Sequence, residues 1–236
     1  MDVVIGAGSG IGAAVVPRLE GPVLAADLIG AEVTCDLTDP ASIGALVARV
    51  DRLGALVVTA GVSPAQAPAA TILDVDLAGT VRALDAFDGL IGDGTVVVLV
   101  ASMAGHMATW PDETVEALDE PLTHDLAALT DDPASAYLMA KLGVIRLVRR
   151  RAVDYGRRGA RIVSVSPGVV HTPMGDLELA AGTGAQGIVD GCALGRAAAA
   201  DEIASVIAFL CSDGASYVTG TDLVVDGGSL ASLGMS

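Results

Sequence analysis

A chain of 236 residues, 52% hydrophobic but only 3% aromatic, must build its core from Ala, Val, Leu and Ile. Such a core suits a parallel sheet covered on both faces by helices, whose strands read as continuous apolar runs. The formal net charge of −16 repels nucleic-acid phosphates and anionic membranes, and three scattered cysteines (Cys35, Cys192, Cys211) exclude a disulfide framework or zinc site and fit a reducing, cytoplasmic setting.

The first predicted strand, Val3–Ile5, begins almost at the initiator methionine, leaving no room for a signal peptide. It runs into Gly6-Ala7-Gly8-Ser9-Gly10-Ile11-Gly12, after which Gly10–Leu19 has helical character, with a kink or early end expected at Pro17. Glycines between a strand and a helix let the backbone take positive φ and let a diphosphate approach the main chain at the helix N-terminus. Gly6, Gly10 and Gly12 therefore form a candidate dinucleotide cradle. The second strand, Val23–Ala26, is closed by Asp27, 15 residues past Gly12. That is close to the roughly 20-residue offset expected for a carboxylate on the adenosine ribose, and it argues for NAD.

Further strands are predicted at Glu32–Thr34, Ala55–Thr59, Thr95–Ala101, Arg161–Ser166 and Asp222–Val225. Helices are expected within Pro40–Asp51, Ala69–Leu90, Ala134–Tyr155 and Ala200–Leu210. Strand-helix alternation predicts an α/β fold: one doubly wound parallel sheet of Rossmann type with its switch point beside the first strand. No linker or internal repeat divides residues 1–236, so one domain is expected. The uncharged span Leu53 to Leu73 contains Gly61, Pro64 and Pro68 and is rejected as a membrane helix. Gly105 to Ala134 breaks the rhythm with an acidic connection in which Leu118, Leu122, Leu126 and Leu129 have roughly helical spacing. A connection that long is usually functional or disordered.

Two groups of residues carry candidate chemistry. Tyr137 and Lys141 stand one turn apart on a predicted helix face, where an ammonium lowers the tyrosine pKa and prepares it for proton transfer. Ser102 directly follows the strand Thr95–Ala101, at the carboxyl edge where parallel sheets bind ligands. His106, His124 and His171 have no metal-ligand spacing, so no metal is expected. Cys192 lies in a predicted substrate loop with no activating partner in sequence.

Together these residues resemble the short-chain dehydrogenase/reductase family over essentially the whole chain. The family's Thr-Gly-x-x-x-Gly-x-Gly corresponds to Ile5 through Gly12, with Ile5 in place of threonine. Its Asp-Val/Leu after the third strand is Asp36-Leu37, its Asn-Asn-Ala-Gly is Val58-Thr59-Ala60-Gly61, and its Tyr-x-x-x-Lys is Tyr137 to Lys141. The serine of its Ser-Ser-x-x-Gly is Ser102, and its Pro-Gly-x-x-x-Thr is Pro167 to Thr172. Glu202-Ile203-Ala204, Phe209-Leu210, Gly220 and Asp226-Gly227-Gly228 match its closing pattern.

The resemblance implies an oxidoreductase interconverting a secondary alcohol and a ketone with NAD(H). Ser102, Tyr137 and Lys141 would be catalytic. Cofactor contacts would come from Gly6, Ser9, Gly10, Ile11, Gly12, Asp27, Asp36, Leu37, Ala60, Gly61, Tyr137, Lys141, Pro167, Gly168, Val170 and Thr172. The family's catalytic asparagine, which holds a water through its backbone carbonyl, falls on Asp76. The insertion at about 106–133, between a strand and the helix bearing Tyr137, resembles that of the bacterial 3α-hydroxysteroid dehydrogenase/carbonyl reductase group. The predicted pocket cover, Pro173 to Arg196, has few charges and favours an apolar ketone or alcohol. Steroid, terpenoid, aromatic carbonyl and acyl-thioester substrates remain open, as does the oligomer, a homodimer or homotetramer by resemblance. Two other readings are a non-catalytic dinucleotide-binding regulator of the same fold and an extended sugar-nucleotide epimerase or dehydratase.

Overall fold

In the computed structural model, which describes residues 1–182 and 184–235, seven parallel strands form one sheet. They are β1 (Asp2–Ile5), β2 (Val23–Asp27), β3 (Val33–Thr34), β4 (Ala55–Val58), β5 (Val96–Val100), β6 (Arg161–Pro167) and β9 (Asp222–Val225), in the order β3-β2-β1-β4-β5-β6-β9. A separate parallel pair, β7 (Val170–His171) with β8 (Ala198–Ala199), lies beyond β6. The strand order reverses between β1 and β4, which opens a crevice at the carboxyl ends of those strands.

The strands read as near-continuous hydrophobic runs because both sheet faces are covered. Val3, Ile5, Leu56, Val58, Val97 and Leu99 face one core, with α2 (Pro40–Val47), α4 (Thr80–Phe87) and α6 (Pro133–Arg157) over it. The alternate residues Val4, Val57, Val98, Val163 and Val165 face the other, under α1 (Gly10–Val15) and α9 (Ala200–Cys211). This period of two is the pleat of the strands. The aromatic-poor composition has a direct counterpart here: Phe87 and Tyr155 are the largest side chains in an interior otherwise built from aliphatics. Among the described residues, no helix is long and apolar enough to cross a membrane.

The first helix ends at Val15 and continues as a 3₁₀ turn at Val16–Arg18, because Pro17 has no N–H to extend an α-helical ladder. The single helix expected over Ala69–Leu90 is a composite instead: α3 (Ala69–Ile72), a π-helical segment (Leu73–Gly79), α4, and a 3₁₀ turn at Asp88–Leu90. The long connection is ordered but not as its leucine spacing suggested. Its helix is α5 (Asp112–Asp119), ahead of most of those leucines, while Leu126 starts a 3₁₀ turn and Leu122 is exposed. Asp119 at the end of α5 accepts hydrogen bonds from Arg146 Nε and Nη2 at 2.8 and 2.6 Å, with Arg150 Nη1 at 3.1 Å. The segment is thereby fastened along α6. The expected pocket cover also contains helices: α7 (Pro173–Ala180) and α8 (Ala185–Gly191).

Candidate active site

The crevice at the switch point is a cleft of about 780 Å³. The β1–α1 turn forms one wall. Gly6 has φ +96° and Gly10 φ +53°, in the left-handed region that favours glycine. A Cβ at Gly12 would stand 2.0 Å from the Gly6 carbonyl oxygen, so only glycine lets the helix begin this close to the strand. Ser9 is the N-cap residue of α1, yet its side chain makes no capping hydrogen bond. The turn therefore leaves bare backbone facing the cleft, which fits a diphosphate.

Asp27 closes β2 next to this turn. Its Oδ2 accepts a hydrogen bond from Gly8 N–H at 2.8 Å, and its Oδ1 one from Ile29 N–H at 3.3 Å. The backbone thus holds the carboxylate in place at the cleft, beside Leu28, Ile29 and Gly30. Arg18, the nearest preceding cation in sequence, is turned away: it donates to Ala14 O at 2.8 Å and pairs with Asp201 at 3.2 Å. Asp36 and Leu37 follow β3, where Asp36 Oδ1 accepts from Thr38 N–H at 2.8 Å. Thr59, standing where the family has asparagine, donates from Oγ1 to the Ile5 carbonyl at 3.1 Å and so ties β4 to the glycine turn.

At the other end of the cleft, Ser102 caps the 3₁₀ turn Met103–His106, its Oγ accepting from Ala104 N–H at 3.2 Å. Asp132 caps α6, accepting from Ser135 N–H at 2.9 Å, and so fixes where the helix begins and which face carries Tyr137 and Lys141. Lys141 Nζ lies 5.3 Å from the Tyr137 ring centroid. Burial pushes the Tyr137 phenol up; Lys141 pulls it down, Asp76 and Glu178 push it up, and the neighbouring Ser102 hydroxyl favours its ionised form. The balance is upward, so Tyr137 is not the low-pKa phenol that a lysine one turn away predicts by itself.

Burial is the largest cause, and Asp76 adds to it. Asp76 lies in the π-helical segment with 1% exposure, behind Lys141 rather than on the cleft wall. Its Oδ2 stands 2.9 Å from Lys141 Nζ, and its Oδ1 accepts from Val62 N–H at 2.8 Å. Its backbone carbonyl accepts from Thr80 Oγ1 at 2.7 Å. Burial raises the Asp76 carboxyl and Lys141 opposes this; burial by itself would lower Lys141, but Asp76 and Tyr137 outweigh it and hold the ammonium charged. Gly61 makes room for the pair, since a Cβ there would lie 2.9 Å from Asp76 Oδ2.

Ser102, Tyr137, Lys141, Gly6, Ser9, Gly10, Ile11, Gly12, Asp27, Asp36, Leu37, Ala60, Gly61, Pro167, Gly168, Val170 and Thr172 all line this one cleft. Asp76 does not. Among the lining residues not singled out from sequence are Glu178 on α7 and Met107 from the long connection. Neither belongs to a spaced motif. The histidines lie elsewhere in chemistry: His106 pairs with Asp222 at 2.8 Å, His171 with Asp176 at 3.1 Å, and His124 contacts the Glu120 carbonyl. Among the described residues no group of three His, Cys, Asp or Glu side chains is placed to hold a metal ion. Cys192 is buried, its thiol 3.5 Å from the Arg196 carbonyl.

The chain is similar to several known proteins. A family model described as "Enoyl-(Acyl carrier protein) reductase" matches residues 124–229. A short-chain dehydrogenase/reductase of Alternaria brassicicola is 36% identical over 188 residues, 75% of this chain and 69% of that protein. The 3-alpha-hydroxysteroid dehydrogenase/carbonyl reductase of Comamonas testosteroni is 30% identical over 243 residues, 96% of this chain and 95% of that one. The crystal structure of the 3-alpha-hydroxysteroid dehydrogenase from Pseudomonas sp. B-0831, complexed with NADH, superposes with a TM-score of 0.88 at 32% identity, covering 98% of this chain and 97% of that one.

Gly12→Val tests the cradle. The added side chain meets backbone at the Gly6 carbonyl, so NADH affinity by fluorescence titration should fall at least about tenfold, a loss of about 1.4 kcal/mol. Unaltered NADH binding by a folded variant contradicts the assignment.

Proposed function

The chain belongs to the short-chain dehydrogenase/reductase family, and from that premise we propose that it is an NAD(H)-dependent oxidoreductase interconverting a secondary alcohol and a ketone. The observation that carries this reading is the convergence of Ser102, Tyr137 and Lys141 on the cleft into which the glycine turn opens. A regulator that only bound a dinucleotide would have no use for a proton donor there.

When bound, a nicotinamide dinucleotide supplies the hydride donor or acceptor. The chain supplies the rest. In ketone reduction the Ser102 hydroxyl donates a hydrogen bond to the carbonyl oxygen, and the Tyr137 hydroxyl gives that oxygen its proton as negative charge develops. In alcohol oxidation Tyr137 accepts the proton instead. Lys141 steadies the tyrosinate through its charge. Asp76 acts through Lys141 as a positioning residue, fixing the ammonium by direct contact and raising Tyr137.

Asp27 underlies the choice of NAD. A ribose diol can donate hydrogen bonds to its carboxylate, whereas the 2′-phosphate of NADP brings about −1.5 to −2 charges against it, by analogy with a phosphorylated side chain. The adjoining cleft residues Leu28, Ile29 and Gly30 offer no compensating cation, and Arg18 is engaged with Asp201. For the substrate, the similarity to hydroxysteroid dehydrogenases and the apolar walls of Met103, Met107, Leu138, Met174 and Ile188 support a small or medium, largely apolar ketone or alcohol.

Three measurements test this. Tyr137→Phe should lower kcat by roughly 10²- to 10⁴-fold while NADH still binds. A variant that keeps most of its kcat refutes the proton-transfer role. Asp76→Asn removes a charge that raises Tyr137, so the kcat/KM–pH profile of alcohol oxidation, which needs tyrosinate, should move to lower pH. A profile that stays in place shows that the Asp76 charge is not felt at Tyr137. Wild type should favour NADH over NADPH in kcat/KM by about a thousandfold, equivalent to roughly 4 kcal/mol. Asp27→Ala should narrow that gap mainly by admitting NADPH, and comparable wild-type values contradict the role of Asp27.

A further inference from the structure

Strand β6 carries two serines on a sheet face that is otherwise aliphatic. Ser164 and Ser166 are fully buried and alternate with Val163 and Val165, so they share the α6 side of the sheet with Ile162. Asp222 begins the edge strand β9 beside Ser164, in parallel register, and its side chain is only 2% exposed. A carboxylate is almost never buried so fully unless it is paired. Two groups serve this one. Ser166 Oγ donates to Asp222 Oδ1 at 2.9 Å, and His106 Nε2 stands 2.8 Å from Oδ2. An ionised carboxylate only accepts hydrogen bonds, so the imidazole carries a proton on Nε2.

His106 is the last residue of the 3₁₀ turn whose N-cap is Ser102. Ala104 N–H donates to Ser102 Oγ at 3.2 Å and Gly105 N–H to the Ser102 carbonyl at 3.0 Å, which couples the two ends of the turn. The turn is held on two sides. Gly105 packs on α6, where a Cβ would stand 2.9 Å from Leu142 N, and His106 is tied to β9. Ser102, Met103, Ala104 and Met107 line the cleft, but His106, Asp222 and Ser166 do not. The imidazole therefore meets the sheet edge and not the reacting atoms.

Resting on the oxidoreductase reading, we propose that His106 is a positioning residue: its hydrogen bond to Asp222 sets the place of the Ser102 hydroxyl relative to Tyr137 on α6. A 3₁₀ turn has poor hydrogen-bond geometry and little strength of its own. Released at its far end, it lets its N-cap serine tilt. Ser102 acts on charge that develops in the transition state, where a donor must already stand in position. A charge-assisted hydrogen bond is short and directional, as contact between two apolar side chains is not. Stability alone does not account for the cluster, because replacing both partners of a buried polar pair by apolar groups is often neutral or stabilising.

The test uses the full chain with NADH and the one of cyclohexanone, acetophenone and androstanedione that wild type reduces fastest. His106→Leu should lower kcat about ten- to hundredfold, as small misplacements do, with NADH affinity within about twofold of wild type. His106→Gln, whose amide N–H can take the place of Nε2–H, should bring kcat back to within about fivefold of wild type. The double variant, His106→Leu with Asp222→Val, should melt at or above the wild-type midpoint while kcat stays at the level of His106→Leu. Support of the fold alone would restore both together. Amide hydrogen exchange reads the turn without turnover: peptides spanning residues 102–107 should exchange about tenfold faster in His106→Leu, or in the double variant if His106→Leu does not fold, with the glycine turn unchanged. Unchanged kcat in His106→Leu, no rescue by His106→Gln, recovery of kcat in the double variant, or unchanged exchange overturns the proposal. Wild-type turnover that survives His106→Leu removes the role of His106 alone. Faster exchange with no ketone reduced by wild type upholds the contact and removes the oxidoreductase reading.

Discussion

Lys141 and Asp76 are withdrawn from water together, at 5% and 1% exposure, with 2.9 Å between them. Taking each charge from solvent costs several kcal/mol, offset only where the geometry is good and the remaining polar atoms are served. Much of the local architecture meets that condition. Val62 N–H serves the second carboxylate oxygen, Gly61 keeps clear of the first, and the π-helical segment holds Asp76 where it reaches across to α6. Short π-helical segments within helices are frequent at functional sites. On α6 itself, the backbone next to Lys141 is approached closely by Gly105, where a Cβ would stand 2.9 Å from the Lys141 carbonyl carbon. Gly143 admits Leu77 of the π-helical segment in the same way, its virtual Cβ lying 2.7 Å from both Leu77 methyl carbons. The backbone of α6 around Lys141 is thus closely packed, while the ammonium itself is held by Asp76.

The charge balance around Tyr137 follows. One lysine stands among two carboxylates, Asp76 behind it and Glu178 on the cleft wall, and burial acts in the same direction as the carboxylates. A raised phenol keeps its proton over a wider pH range, which suits donation to a forming alkoxide more than abstraction from an alcohol. The same acidic character extends to the other end of the cleft, where Asp27 is held by Gly8 N–H. Both ends of the cleft therefore carry a carboxylate among their lining groups.

The long connection before α6 contributes in two ways. Met107 joins the apolar wall of the cleft, and α5 lies along α6 through Asp119, Arg146 and Arg150. α5 thus packs on α6, and the 3₁₀ turn after Ser102 packs on α6 as well.

The layered fold was legible in the chain because its causes are local. Continuous apolar runs such as Val96–Val100 can be stable only in a strand buried on both faces, Pro17 must end an α-helical ladder, and the Gly6–Gly12 turn needs residues without Cβ. The glycine turn, Asp27, Ser102 and the Tyr137–Lys141 pair were legible for the same reason, being defined by spacing along one strand end or one helix face. Other features depend on groups far apart in sequence. The leucines at 118, 122, 126 and 129 suggested one helix, but the helix lies at Asp112–Asp119, following Pro111 and with its last residue held by Arg146. Asp76 was visible only as a departure from a motif. Whether its backbone carbonyl or its carboxylate faced the lysine depended on a π-helical register that no periodicity encodes, and Glu178 carried no signal at all. Local sterics and hydrophobic period determined the sheet and the positions of the chemistry; only tertiary packing decided which charges would be buried together, because desolvation depends on what lies nearby in space.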